Sequence, residues 1–366
     1  MHIQKIKLIN FKNFEDLSVE CNPGVNCLIG KNGSGKTNFL DGIYYLSFTK
    51  SAFNAVDQMN IRHSQDFFSI ISSFDLNSKS IKLQCSFQQG QKKVVKWNNQ
   101  PYDKLSDHIG LLPVVLITPY DTDLIRDSSE TRRKYFDMVL SQCRKDYLEL
   151  LIKYNNLLRQ RNALLKQLAA GQSKSYTLLD TYDESMLPIN QKIAAHRKAF
   201  IEEFNGFFDP YYHQLSQGSE QTAIVYQSRV LQSDFEQKFK RSREDDIMKQ
   251  RTIYGVHRDD YLFEFEARPI KKFGSQGQQK SFVIALKLAQ FDIIKQVKAF
   301  KPILLMDDIF DKLDDDRIAI LTELVCTEEF GQLFITDARP ERTRTIFGNR
   351  SDVSFFKVNQ GLIEAD

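Results

Sequence analysis

The sequence predicts an α/β fold interrupted by an inserted antiparallel helical hairpin. Three observations carry that expectation. Short alternating apolar runs fill the chain to about residue 120, helical spacing takes over from about 130 to 208, and strand and helix patterns return from about 250. The 366 residues fit about two domains, or one domain with a large insertion. Apolar residues make up 42% of the chain, so a sizeable core forms and global disorder is excluded.

The chain opens with the charged alternation His2-Ile3-Gln4-Lys5-Ile6-Lys7-Leu8, which reads as a first strand and lacks the apolar stretch of a secretory signal. Ile81–Phe87 and Lys93–Trp97 alternate in the same way, and Pro113-Val114-Val115-Leu116-Ile117 is a wholly apolar strand. Leu151, Leu158 and Leu165 then recur every seven residues, with Tyr147 and Tyr154 as a companion row. After Gly171-Gln172-Ser173, the residues Leu179, Tyr182, Met186, Ile189, Ile193, Phe200 and Phe204 fall at helical spacings. Two helices of about 35 residues reach roughly 50 Å each, and Pro188 is expected to weaken or kink the second. A projecting arm and an ordinary helical subdomain both satisfy this pattern. A helix near Ser281–Val297 and buried strands at Ile303–Met306 and Leu333–Thr336 complete the fold. The expected divisions are 1–120, 121–250 and 251–366, the outer two forming one domain.

Charge and cysteine usage narrow the class further. Fifty basic against 47 acidic residues leave a net charge of +3, too mild to announce a nucleic-acid binder but compatible with a local basic patch. Cys21, Cys27, Cys85, Cys143 and Cys326 are odd in number and form no C-x-x-C pair, so reduced thiols fit better than disulfides or zinc. No 18 apolar residues run together, and neither a membrane span nor a membrane partner is expected. An intracellular location follows from these features.

Two motifs carry chemistry. Gly30-Lys31-Asn32-Gly33-Ser34-Gly35-Lys36-Thr37 matches G-x-x-x-x-G-K-[ST] in full, after an apolar strand and before a helical stretch. Its glycines let backbone amides converge on phosphate, Lys36 reaches the β- and γ-phosphates, and the Thr37 hydroxyl binds Mg²⁺. Far along the chain, Ile303-Leu304-Leu305-Met306-Asp307-Asp308 has the form of a Walker B strand. Asp307 is the expected metal ligand and Asp308 the general base. Lys36 and Asp307 stand 271 residues apart, so the helical block must be an insertion that lets them meet.

Gly274-Ser275-Gln276-Gly277-Gln278-Gln279-Lys280 lies where the signature of ATP-binding-cassette ATPases would stand, and Asp311-Lys312-Leu313-Asp314 where their D-loop would. With the motifs above, the chain resembles the SMC-like group of those ATPases. Within it, the whole chain is most similar to the RecF family of bacterial recombination mediators. That likeness rests on Leu8-Ile9-Asn10-Phe11-Lys12-Asn13-Phe14, Glu130-Thr131-Arg132-Arg133, Arg159-Gln160-Arg161-Asn162, Gly255-Val256-His257-Arg258-Asp259-Asp260 and the signature turn.

The resemblance implies an ABC-type P-loop ATPase head bearing the helical hairpin, with ATP and Mg²⁺ as cofactors. It implies a head-to-tail homodimer in which Ser275, Gly277 and Gln278 cap the triphosphate held by the other copy, and a weak DNA-dependent ATPase used as a dimerisation switch. Lys12 and Asn13 would touch the nucleotide. The implied work is recombinational repair and replication restart on single-stranded, gapped or duplex DNA, in the cytoplasm at the nucleoid. RecR and RecO are the implied partners, with RecA loading and SOS induction downstream.

Of the basic clusters, Lys92, Lys93 and Lys96, and Arg241 and Arg243, are candidate phosphate contacts. Three departures stand out. Asp308 replaces a glutamate, Thr336-Asp337 occupy the place of the switch histidine, and Thr118-Pro119-Tyr120-Asp121 that of the Q-loop glutamine. His257-Arg258-Asp259-Asp260 reads as an ion-pair corner rather than a metal site. An SMC-type chromosome ATPase and a transporter's nucleotide-binding subunit remain the alternatives.

Overall fold

The alternating opening folds into antiparallel strands β1 (His2–Phe11) and β2 (Phe14–Glu20), followed by β3 (Val25–Ile29), which is buried along its whole length. Helix α1 (Lys36–Phe48) comes next, then β4 (Phe67–Leu76), β5 (Lys79–Gln88), β6 (Val94–Trp97), β7 (Gln100–Pro101) and the apolar β8 (Val114–Ile117). The first sheet runs β2-β1-β4-β5-β6-β7. Its period-two pattern turns Ile6, Leu8, Ile70, Phe74 and Leu83 into the core and leaves Lys7, Ile71 and Gln84 on the outer face. The computed structural model describes residues 1–366 except Ser173, Lys174, Ser219, Glu328 and Asn349, and except the side chains of Asp311 and Lys312.

The chain divides into two units, one of Met1–Asp121 with Ile284–Asp366 and one of Thr122–Val283. The second begins with α2 (Asp123–Arg126), α3 (Ser129–Cys143) and the hairpin α4 (Lys145–Ala169) and α5 (Tyr176–Ser216). Strand β9 (Thr222–Gln227), helices α6 (Phe235–Arg241) and α7 (Arg243–Met248), strands β10 (Asp260–Phe265) and β11 (Arg268–Pro269) and the turn α8 (Ile270–Phe273) follow. Helix α9 (Gln276–Lys298) carries the chain onward into the first unit. The expected break near residue 250 lies inside the second unit. Strands β9 and β10 flank it and pair with each other from Asp260↔Gln227 to Phe265↔Thr222, so a cut there would split a sheet.

Burial in the hairpin differs from the expected leucine row. The expected companion row of Tyr147 and Tyr154 is buried and continues to Arg161, whereas of the leucine row Leu165 is buried and Leu151 and Leu158 are only half-buried. Arg161 donates to Asp183 at 2.7 Å and to the Thr252 hydroxyl at 2.8 Å, and pairs with Asp246 at 2.7 Å. Beside it, Leu164, Leu165 and Leu179 pack with Leu168, Tyr182 and Ile247 of α7. The hairpin is therefore a helical subdomain clasped by α7 rather than a bare arm. Helix α5 contains Pro188 and Pro210 without ending at either. Ser173, part of the expected turn, lies outside the described residues.

A second buried arginine anchors the base. Arg197 donates to Asp137 of α3 at 2.9 Å, to Asp259 at 3.1 Å and to the Val256 carbonyl at 2.8 Å. The neighbouring His257 uses both ring nitrogens. Nε2–H donates to the Thr252 carbonyl at 3.0 Å, which leaves Nδ1 to accept from the Tyr154 hydroxyl at 2.6 Å. Burial brings its pKa down to about 4. Gly255 sits at φ +135°, where a Cβ would lie 2.6 Å from the Tyr154 oxygen, so this corner needs glycine. The segment 257–260 is an ion-pair corner, as expected.

The first unit is completed by β12 (Ile303–Met306), α10 (Asp315–Val325), β13 (Leu333–Asp337), α11 (Pro340–Phe347), β14 (Val353–Asn359) and β15 (Leu362–Ala365). Its second sheet runs β15-β14-β3-β13-β12-β8, parallel except for β15. Strands from before and after the insertion interleave, so neither half of the chain can make this sheet alone. Helix α1 is apolar on nearly all sides because sheets flank it: Phe39 meets Phe334 of one, and Tyr45 meets Phe11 of the other. Buried Gln332 ties the sheets together, accepting from the Ile3 amide and donating to the Ile3 carbonyl, both at 2.7 Å. Among the described residues no helix is long and apolar enough to cross a membrane.

Two outcomes are expected of the second unit. Arg161→Ala leaves Asp246 buried without its charge partner and Asp183 with Arg243 alone, and should destabilise the unit by about 3–5 kcal/mol in urea unfolding. The His257 pKa is lower folded than unfolded, so the unfolded chain binds the extra proton and stability declines as pH falls from about 6.5 to about 4. The pH slope of His257→Gln over that window should be shallower than the parent's by the histidine's share, read from urea midpoints.

Candidate active site

The phosphate loop lies between the end of β3 and the start of α1. Lys31, Asn32 and Gly33 form its exposed crown, and Gly33 and Gly35 take φ +78° and +116°. A Cβ on Gly35 would lie 2.5 Å from Nδ2 of Asn13, and one on Gly30 would lie 2.3 Å from the Val358 carbonyl. The loop is buttressed from behind. The Gly361 amide donates to the Ser34 carbonyl at 3.2 Å, and Asn13 Nδ2 approaches the same oxygen at 3.4 Å. The first-turn amides of α1 have no intrahelical acceptor, as at any helix start, and the buried Ser34 hydroxyl has no hydrogen-bond partner among the described residues. Lys36, almost fully buried, donates to the carbonyls of Gly30 at 2.8 Å and Lys31 at 3.3 Å, charge held in place at the loop.

The parallel order β3-β13-β12 brings the acids to the same edge. Thr37 donates its hydroxyl to both oxygens of Asp307, each at 3.0 Å, and Asp308 lies 3.9 Å from the Lys36 ammonium. Burial raises the Asp307 carboxyl above its ordinary range and the Asp308 charge adds to this, while the hydroxyls of Thr336 and Thr37 and the Lys36 charge oppose it. A hydroxyl and a carboxylate converging beside a phosphate cradle make a hard oxygen donor set of the kind Mg²⁺ uses. The structure brings Lys36, Thr37, Asp307 and Asp308 together at the phosphate loop.

Thr336 was not singled out as a bridge, and it is one. Its hydroxyl donates to Asp307 at 2.8 Å and accepts from the Asp308 amide at 2.9 Å. Asp337, at the switch position, is consumed internally by Arg342 at 2.6 Å, the Thr343 hydroxyl at 2.7 Å and the Arg339 amide at 2.9 Å. Burial alone would raise its pKa, but these donors outweigh burial and hold it below the usual carboxylate range. Where the Q-loop glutamine was absent, buried Lys287 pins the turn, donating to the Leu116 carbonyl at 2.9 Å and pairing with Asp121 at 2.8 Å.

Other expected contacts sort differently. Asn13 touches the phosphate loop, but the ammonium of Lys12 is buried on Asp41 at 2.5 Å. Ser275 and Gln278 form a reciprocal capping box at the start of α9: the Ser275 amide donates to Gln278 Oε1 at 2.7 Å, and the Gln278 amide donates to the Ser275 hydroxyl at 3.2 Å. Gln278 also donates to Glu220 at 2.7 Å. Gly277 stands in the same first turn. Of the DNA candidates, Lys93 is turned inward onto Asp57 at 2.8 Å and the Tyr45 hydroxyl at 3.1 Å. Arg243 is held by Asp180 and Asp183 at 2.6 and 2.8 Å. Neither offers a free charge to a phosphate, because the fold uses both as internal struts. Lys92 and Arg241 are exposed and Lys96 is half-buried. Asp311 and Lys312 of the D-loop segment have side chains outside the described residues.

Comparison with known proteins agrees with this geometry. The family model described as RecF/RecN/SMC N terminal domain matches residues 2–363. A "DNA replication and repair protein RecF" from Cytophaga hutchinsonii is 48% identical over 365 residues, covering 100% of this chain and 97% of that protein. The chain belongs to the RecF family. A Flavobacterium johnsoniae relative of the same name is 46% identical and covers 94% of this chain and 96% of its own length. Among solved structures, the recombination mediator protein RecF-ATPrS in the RecFOR pathway matches with a TM-score of 0.88 at 26% identity, covering 100% of this chain and 98% of its own. An Smc head bound to the C-winged helix domain of ScpA matches with a TM-score of 0.58 at 14% identity, over 100% of this chain and 97% of its own, and shares the fold alone. The fold is an α/β ABC-type ATPase head, as expected for the RecF family.

Gly35→Ala forces a side chain into a left-handed backbone and onto Asn13. It should cost about 1–3 kcal/mol of stability unless the loop opens. Thermal unfolding together with nucleotide titration should show a lower midpoint, lost nucleotide binding, or both.

Proposed function

We propose that this RecF-family chain binds ATP with Mg²⁺, pairs head to tail with a second copy on DNA, and hydrolyses ATP slowly to release the pair. The observation that carries the reading is Thr37 and Asp307 sharing hydrogen bonds at 3.0 Å beside the phosphate loop. Converging amides of Gly33 to Thr37 would bind the phosphate oxygens. Lys36 would exchange its carbonyl partners for the β- and γ-phosphates. Thr37 and Asp307 would hold Mg²⁺, which when bound neutralises the charge that develops on the transferring phosphoryl group. Asp308 would orient the attacking water and take its proton. Asp in place of the longer Glu supports slow turnover.

Pairing uses the capped start of α9. Its first-turn amides outside the capping box, together with the helix dipole, suit an anion, so Ser275, Gly277 and Gln278 of one copy would cap the γ-phosphate held by the other. ATP then favours the dimer, because only that state makes both sets of contacts. RecF relatives named for DNA replication and repair, and a solved one named for the RecFOR pathway, support a repair role. In this reading the chain works in the cytoplasm with RecR and RecO as partners, and RecA loading and SOS induction follow downstream.

For DNA, the outer face of the first sheet suits phosphate contact best. Lys82 lies opposite Ser73 and Lys96 opposite Gln84, with Lys92 exposed near them in the chain, whereas Lys5 and Lys7 are partnered by Glu20 and Asp16. Such contacts bind largely without regard to sequence and weaken with salt.

Lys36→Met and Asp307→Asn should each abolish ATP-driven dimerisation in sedimentation velocity. Ser275→Arg should keep nucleotide binding to the monomer but block pairing, and loss of nucleotide binding there would contradict the in-trans role. Removing Lys82 and Lys96 together should lower the slope of log affinity for DNA against log salt by about 1.5–2.

A further inference from the structure

We propose that Thr336 is a positioning residue that sets the metal-binding and water-activating acids in register through one hydroxyl. The inference rests on the Mg²⁺-ATP reading of the site and deepens it. Thr336 is fully buried at the C-terminal end of β13, the strand lying between the phosphate-loop strand β3 and the acid-bearing strand β12. Parallel pairing of Met306 with Ile335 sets Asp307 beside Thr336, and pairing of Thr336 with Leu28 sets it opposite the residue two positions before the loop's first glycine.

A hydroxyl has one proton to give, and here the direction is forced. The Asp308 amide can only donate, so the Thr336 oxygen accepts from it at 2.9 Å and its proton goes to Asp307 at 2.8 Å. The first bond bears on the backbone of Asp308, which sits in the left-handed region at φ 42° and ψ 33°. That conformation is uncommon for a residue other than glycine and persists where its surroundings fix it. The second bond holds Asp307 in the orientation that meets Thr37. A single side chain thus constrains the carboxylate of one acid and the backbone of the next. Asp337, the residue beside it, is already saturated by Arg342, Thr343 and the Arg339 amide and cannot take over this task.

The test compares Thr336→Val, which keeps the shape and loses the hydroxyl, with Thr336→Ser, which keeps the hydroxyl. Nucleotide affinity is measured with ATP in EDTA and across a Mg²⁺ titration, alongside steady-state hydrolysis and thermal unfolding. The valine chain should bind ATP in EDTA within about 2-fold of the parent and need about 10-fold more Mg²⁺ for half-effect. Its kcat should fall by about 10- to 100-fold, the range typical of groups that orient metal ligands. The serine chain should stay within about 3-fold of the parent throughout. Thr336→Ala repeats the test if valine disturbs folding. Unchanged Mg²⁺ dependence and kcat in valine and alanine chains overturn the proposal. So does loss of fold in both, or an equal loss of affinity in EDTA and in Mg²⁺, since the hydroxyl would then be merely structural. A parent chain that binds no ATP in any condition would instead sink the site reading itself.

Discussion

The site depends on one constraint, the parallel pairing of β3, β13 and β12. These strands come from opposite ends of the chain, and their register alone places Thr37 within hydrogen-bond reach of Asp307 across 270 residues. A slip of one residue would turn Asp307 and Thr336 to the other face of the sheet. The flanking elements guard against such a slip. Gln332 fixes the entry to β13 by three bonds to Ile3 and Asn22, and the Gly30 amide binds the Asp337 carbonyl at its exit. Chemistry here is a consequence of sheet order.

The helical unit follows a different rule. Its interior is organised by buried arginines, each surrounded by carboxylates and hydroxyls. Arg161 joins α4 to α5, α7 and Thr252, and Arg197 joins α5 to α3 and the 256–259 turn. Buried pairs of this sort add little stability over apolar packing but tolerate no missing partner. The same logic explains why Lys93 and Arg243, both plausible as surface charges, turn out to be struts. A basic cluster in sequence says nothing about which of its members has an acid waiting inside the fold.

Much of the active site was legible because its residues are close in sequence to the chemistry they perform. A phosphate loop needs glycines at fixed steps, and a buried strand ending in acids is conspicuous. The first strand, the strands at 81–87, 93–97 and 113–117, the helical insertion and most of α9 were also readable from patterning alone. What periodicity could not show is pairing at long range. Arg161, which continues the expected row of Tyr147 and Tyr154, was hidden because arginine does not score as a core residue until Asp183 and Asp246 are beside it. Lys12 looked available because Asp41 comes from a different element. The boundary near 250 was misplaced because the partner of β10 is β9, on the far side of α6 and α7. Thr336 stood out in sequence only with Asp337, in the place of the switch histidine, which gives no hint of a bridge between the acids. Only the strand order reveals that its hydroxyl lies between two acids.

The central claim is that a complete triphosphate site is assembled from the loop and acids of one chain and the α9 turn of another. Mixing two defective chains tests it most directly. A Lys36→Met chain lacks a working loop and a Ser275→Arg chain lacks a working cap, but a head-to-tail pair of the two retains one intact composite site. Sedimentation velocity with ATP and Mg²⁺ should find each chain monomeric alone and a dimer in the equimolar mixture. A mixture that stays monomeric, or either chain dimerising alone to the parent's extent, would contradict the account.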